Sequence, residues 1–203
     1  MSLGGQPIRT VAPTAYPLSL AEVKAHLRID GNDEDALLGG YLASAVARAE
    51  NSTGLGLLQQ TWTQTFPAFA SPMLLYRRPL LAVGSPAAAV TVAYLDSAGA
   101  TQALSETFYR VTGIGADRAY GGVRLASGAS WPPTYADEEA VKITYTVGFG
   151  TTGSAVPEEI RQAIKTMVSD WYLYRESLYQ GSVDELPFGA EALLRPWRPL
   201  AVA

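Results

Sequence analysis

Between Gln60 and Gly148 the apolar residues tend to recur at every second position, and on either side of that block they recur at helical spacing. No feature limits the fold more, because a segment patterned for strands cannot bury its apolar side as a helix, nor the reverse. The block opens on "TWTQTF", continues through "MLLYRRP", "VTVAYLD", "FYRVTG" and "GGVRLA", and closes on "VKITYTVG". Gly, Pro, Ser and Asp separate these runs, as strand ends require. "DSAG", residues 96–99, predicts a hairpin loop between "VTVAYL" and "TQAL". Pro67, Pro72, Pro79, Pro86 and the "WPP" at 131–133 belong at strand edges and loops. The pattern predicts an antiparallel sheet region of about six short strands.

Helix signals flank the block. Ser19 and Glu22 in "SLAE" form a capping box, and Leu20, Val23 and Leu27 follow at helical spacing toward an end near Ile29. A second helix is expected from about Asp33 to Thr53, its apolar stripe being Leu37, Leu38, Tyr41, Leu42, Ala45 and Ala49, with Gly54 as the stop. After the block, Pro157 precedes Glu158 and Glu159, a strong helix start. Ile160, Ile164, Met167, Val168, Trp171 and Leu178 predict that this helix runs to about Tyr179, with Gly181 ending it.

The order implies an α+β fold: a helical body, made of two N-terminal helices plus a long C-terminal helix, interrupted by an antiparallel β lobe. The expected divisions are a flexible N-terminal arm over 1–17, N-terminal helices over 18–58, the β lobe over 59–150, the long helix over 151–180 and an extended tail over 181–203.

Charge limits the chemistry. Only 17% of the 203 residues are charged, the net charge is −4, and no Lys/Arg run exceeds Arg77-Arg78. A general nucleic-acid binder would carry a basic face. The chain has no cysteine and one histidine, His26, which argues against thiol catalysis and zinc. No apolar run approaches the ~20 residues of a membrane helix, and the first residues lack a signal-peptide core; the expectation is a protein made in the cytosol.

The densest acidic stretch, "LRIDGNDEDALL" at 27–38, holds Asp30, Asp33, Glu34 and Asp35. A calcium loop counted from Asp30 lacks the required Gly and the final Glu. The alternative reading makes Asp33 the cap of the second helix, with Glu34 and Asp35 in its first turn. "GFGTTG" at 148–153 precedes a helix but lacks the Lys of a phosphate loop, and that helix opens on two glutamates. Asp137, Glu138 and Glu139 follow the aromatic loop "WPPTY", so Trp131, Tyr135 and Asp137 could line a glycan- or protein-binding pocket of the lobe, and the acids could serve a hydrolase. Neither a catalytic residue nor a cofactor site stands out.

Residues 18–45, "LSLAEVKAHLRIDGNDEDALLGGYLASA", resemble the opening of the tailed-phage head–tail connector (adaptor) family of the gp6-like and phiE125 gp8-like type, which includes gene transfer agent adaptors. "VKITYTVGFG" at 141–150, "VPEEIRQAIKTMVSDWYLYRE" at 156–176 and "ALLRPWR" at 192–198 are similar to the family's closing strand, long helix and terminal motif. The resemblance implies a structural protein, not an enzyme, at the head–tail junction of a virion or phage-like particle. It implies a cyclic ring of about a dozen copies that meets the portal protein on one side and a stopper or tail-completion protein on the other. DNA would pass through its channel without specific binding.

Candidate partner-binding residues are Leu193, Leu194, Arg195, Pro196, Trp197, Arg198 and Pro199, whose apolar, Trp and Arg content suits an interface anchor. Arg77 and Arg78 could face a neighbour or the portal. Two alternatives stay open: Leu194 and Trp197 fold back onto the chain's own core, and Arg77-Arg78 are solvated strand-edge charges.

Overall fold

The computed structural model describes residues 4–82, 89–174 and 188–199. Eight strands and four α-helices follow in the order β1 (Ile8–Val11), α1 (Leu20–Leu27), α2 (Asp35–Thr53), β2 (Gln60–Phe66), β3 (Met73–Leu75), β4 (Val90–Leu95), β5 (Thr101–Ala103), β6 (Tyr109–Thr112), β7 (Gly121–Leu125), β8 (Val141–Val147), α3 (Glu158–Leu173) and α4 (Phe188–Leu194).

The strands form a five-stranded sheet, β1-β2-β8-β4-β5, and a three-stranded sheet, β3-β7-β6, in which every strand pairing is antiparallel. Period-two patterning explains which faces meet. Val141, Ile143, Tyr145 and Val147 of β8 go inward with Trp62 and Phe66 of β2 and Val90 and Val92 of β4, and they join Met73, Leu75, Tyr109 and Val123 of the smaller sheet in one core. One amide also crosses between the sheets. Buried Gln64 of β2 accepts from the Tyr76 N–H at 3.2 Å and donates to the Leu74 carbonyl at 3.2 Å, replacing part of the ladder that β3 lacks on that side.

The helical body has its own core. Ile160, Ala163, Ile164, Met167 and Val168 of α3 face Leu42, Ala45, Val46 and Ala49 of α2, with Val23 of α1 beside them. Each large side chain among them contributes roughly 1.5–3 kcal/mol by burial. The capping box on α1 is formed: Ser19 Oγ accepts from the Glu22 N–H, and the Glu22 carboxylate accepts from the Ser19 N–H at 2.8 Å. Gly54 ends α2 at φ 71°. Gly148 sits at φ 136° where a Cβ would come within 2.6 Å of the Leu58 carbonyl carbon, so only glycine fits between β8 and the 57–59 segment.

The fold class agrees with the expectation from sequence, and the differences are local. The sheet region divides into two sheets; each of the six strand runs forms a strand, "MLLYRRP" giving the three-residue β3, and one more, β5, is the three-residue far side of the "DSAG" hairpin. Within the presumed loose arm, Ile8–Val11 pairs with β2 although all four residues are exposed; main-chain hydrogen bonds, invisible to hydropathy, hold it. Leu37, expected in the α2 stripe, is exposed, and Val46, not expected there, is buried in the helical core.

The end of the chain departs furthest. Residues 188–199, expected to be extended, form α4 and a 3₁₀ turn over Arg195–Trp197. Ala190, Leu194 and Trp197, all buried, recur at helical spacing; Pro196 and Pro199 masked that period in the sequence. Helix α3 ends at Leu173 with Tyr174 as its cap, and the rest of its expected length, 175–179, lies outside the described residues. No helix among the described residues is long and apolar enough to cross a membrane.

Candidate interaction site at the junction of body, lobe and tail

Arg77 and Arg78 follow β3 and enter the seam between helical body and β lobe. Arg78 is fully buried. Its guanidinium donates to three main-chain carbonyls from distant parts of the chain: Asp117, Thr53 at 2.6 Å and Trp197 at 2.6 Å. The Tyr120 ring lies 5.8 Å from its Cζ, and Nε has no hydrogen-bond partner among the described residues. Burial lowers the Arg78 pKa, with Tyr120 and Asp117 opposing the shift; a guanidinium still keeps its charge. Three neutral carbonyls at the end of α2, in the 113–120 loop and in the tail thus share one buried cation.

Arg77 is half-buried. Its guanidinium stacks 4.3 Å above the Trp62 ring and donates to the Glu50 carbonyl at 3.2 Å. Burial lowers its pKa, and Glu50 opposes that. The Glu50 side chain, itself buried near the end of α2, accepts from the Leu57 N–H at 2.9 Å and from Gln60 Nε2 at 2.7 Å. Arg9 of β1 approaches the same carboxylate at 3.6 Å. Sequence reading missed Glu50, Gln60 and Gln64, although two glutamines four apart in "QTWTQTF", in register with buried Trp62 and Phe66, were a visible sign of polar groups turned inward.

The tail closes this seam. The Trp197 indole donates to Glu159 of α3 at 3.0 Å and meets Phe149 edge-on at 6.0 Å, while Arg118 lies 5.4 Å from its ring centroid. Of the nine residues expected to bind a partner, Leu194, Trp197 and Arg78 are buried inside this chain, and Arg77, Leu193 and Pro199 are half-buried. Arg195, Pro196 and Arg198 are exposed, Arg198 being ion-paired with Glu191 at 2.7 Å. Ala190, Leu194 and Trp197 thus pack into the helical core, the alternative that the sequence left open for the last two, while Arg195, Pro196 and Arg198 reach solvent together with Phe188 and Ala192.

The other candidates are also placed. Lys24 of α1 donates to Asn32 at 2.6 Å and Asp35 at 2.8 Å, and the Tyr172 hydroxyl of α3 donates to Glu34. The acidic stretch therefore ties α1, α2 and α3 together around a lysine. Glu34, not Asp33, holds the cap position of α2, and it makes no side-chain capping bond. Among the described residues, His, Cys, Asp and Glu nowhere gather in threes suited to a metal. Trp131 is stacked on Phe69 at 4.7 Å, so one face of its ring is covered, while Tyr135 and Asp137 are exposed. His26 is exposed on α1.

Comparison with known proteins agrees with this architecture. The family model of the phage gp6-like head-tail connector protein matches residues 17–75, which run from the start of α1 through β3. No curated protein matches. A chain in the neck of an empty gene transfer agent particle, computed with C6 symmetry, is similar at 25% identity with TM-score 0.75, over 98% of either chain. A chain of the native gene transfer agent virion is similar at 26% identity and TM-score 0.75, again over 98% of both. The neck of the native particle computed with C12 symmetry shares the fold at TM-score 0.73 and 24% identity. The family-model match over 17–75 thus includes residues 18–45, which carry the sequence resemblance to the gp6-like head-tail connector family, within a fold shared over nearly the whole chain with gene transfer agent neck structures.

Proposed function

We propose that this chain is a structural head–tail connector subunit at the neck of a tailed-phage-like particle, and that it works as a cyclic ring. The observation that carries this reading is a fold shared end to end, over 98% of both chains, with a component of the gene transfer agent neck. The C6 and C12 symmetry of those necks supports a ring of about a dozen copies. In this reading the ring sits under the portal protein, meets a stopper or tail-completion protein below, and surrounds a DNA channel. A net charge of −4 suits a wall along which DNA slides without being gripped. Arg195, Pro196 and Arg198, with exposed Phe188 and Ala192, are the part of the tail free to meet a neighbouring protein in this reading.

The test is light scattering after size exclusion, on the chain alone and with its cognate portal. The expected result is a portal-bound species whose added mass is a multiple of the 21.6 kDa chain equal to the ring count. A chain that stays a monomer and ignores the portal at high micromolar concentration rejects the proposal.

A further inference from the structure

Arg110 of β6 stands directly opposite Arg124 of β7 in the antiparallel register. Tyr109 and Val123, the residues beside them in their strands, are buried in the lobe core, so alternation sends both arginines to the outer face of the three-stranded sheet, where both are exposed. Directly opposed side chains have Cβ atoms about 5 Å apart, and like charges there repel. Nothing else in the described residues relieves that repulsion: neither guanidinium has an ion pair, a hydrogen bond or a ring contact. Many of the other cations are engaged. Arg9, Lys24, Arg161, Lys165 and Arg198 are ion-paired, and Arg77, Arg78 and Arg118 lie over aromatic rings.

An exposed run of the opposite sign lies elsewhere on the lobe. Asp137, Glu138 and Glu139 precede β8, the middle strand of the five-stranded sheet. Asp137 Oδ1 accepts the Glu139 N–H at 2.8 Å, which fixes the turn, and none of the three carboxylates pairs with a cation among the described residues. One chain therefore carries an unpaired dication on one sheet and an unpaired acidic turn on the other, and the two do not meet within it.

We propose that the Arg110–Arg124 pair docks onto the Asp137–Glu139 turn of a second copy of this chain. Guanidinium forks suit carboxylates because two N–H groups can meet two oxygens. The contact joins different patches on the two copies, so it can repeat head-to-tail, the geometry that closes into rings and the one the ring reading selects over a reciprocal two-fold dimer. The observations favour a second copy over DNA, since tracking a phosphate backbone calls for a stripe of many cations, and here two arginines stand in a chain of net charge −4. The proposal rests on the ring reading above and assigns one contact within it.

The chain lacks cysteine, so paired cysteines report the contact without background. The full chain carrying Arg124→Cys and Glu138→Cys, oxidised at high concentration, is expected to give a disulfide ladder extending past the dimer. Each single variant should stop at the dimer. A control pair, Arg28→Cys with Glu138→Cys, should cross-link on the order of tenfold more slowly. Sedimentation of the unmodified chain runs in parallel. If that chain associates while the ladder does not exceed the control, this contact is wrong and the ring stands. If it associates neither alone nor on its cognate portal, both fail. As a second arm, Arg110→Glu with Arg124→Glu should weaken association by at least about tenfold, and adding Asp137→Arg with Glu138→Arg in the same chain should restore it. Unchanged sedimentation with loss of retention on a short DNA duplex would assign the arginines to phosphate and overturn the proposal.

Discussion

The Arg78 guanidinium donates to the main-chain carbonyl of Trp197 at 2.6 Å, across 119 residues of sequence. With its bonds to Thr53 and Asp117, it joins α2, the β lobe and the tail through one side chain. The dipeptide that looked like a surface charge pair is thus divided between a buried arginine and a half-buried one stacked on Trp62.

Arg78→Met should destabilise the chain by about 3 kcal/mol or more, since it leaves buried carbonyls without a donor. Arg78→Lys should recover little, because an ammonium on a thinner stem cannot hold the same fork. Urea unfolding midpoints measure both, and equal midpoints for wild type and Arg78→Met would contradict the geometry.

Trp197→Phe keeps the ring in the helical core but loses the donation to Glu159, and should cost about 1 kcal/mol. Trp197→Ala, which opens a cavity beside Phe149, should cost about 3–5 kcal/mol. Thermal unfolding of the two variants should rank them in that order.

Ser19→Ala removes the cap of α1 and should cost about 1 kcal/mol near neutral pH. The Ser19 backbone N–H holds the Glu22 carboxyl below its usual 4.5, helped by the Ser19 hydroxyl, Arg161 and Lys165 and opposed by partial burial. A depressed carboxylate pKa stabilises the fold above the unfolded value and loses that effect as pH falls through the folded one. Ser19→Ala keeps that N–H and removes only the hydroxyl's share, so the gap between wild type and the variant should be largest above pH 4.5 and shrink in part below it, which denaturation at pH 7 and pH 3 checks.

Asp33→Ala should change stability by less than about 0.5 kcal/mol, because Asp33 does not cap α2. Lys24→Met should cost about 1 kcal/mol, since Asn32 and Asp35 lose a shared, largely buried donor. A larger loss from Asp33 than from Lys24 would reinstate Asp33 as the cap.

Gly148→Ala should cost more than about 1 kcal/mol through positive φ and backbone overlap with Leu58. An unchanged melting temperature would show that the 57–59 segment can move aside.

The helices and the lobe could be read from the sequence because their signals are local: Ser19 with Glu22, the glutamates after Pro157, and the alternation of "VKITYTV". The junction could not, because its bonds join Thr53, Arg78, Asp117 and Trp197, and no window of sequence contains them together. Arg78 in particular has no local signature of burial; an arginine beside a proline in a loop reads as solvent-exposed until the tail is seen covering it. Arg110 and Arg124 likewise look unremarkable until register places them face to face.

The acceptors of Arg78 also set an order in time. A nascent chain presents Thr53 before Arg78, Asp117 after it and Trp197 far later. While the ribosome is still making α3, the seam around Arg78 lacks one of its three carbonyls and is open where the tail will lie. The junction is therefore completed only after residue 197 has been made, and a chain stalled before Trp197 carries an open seam that one extending past it has closed.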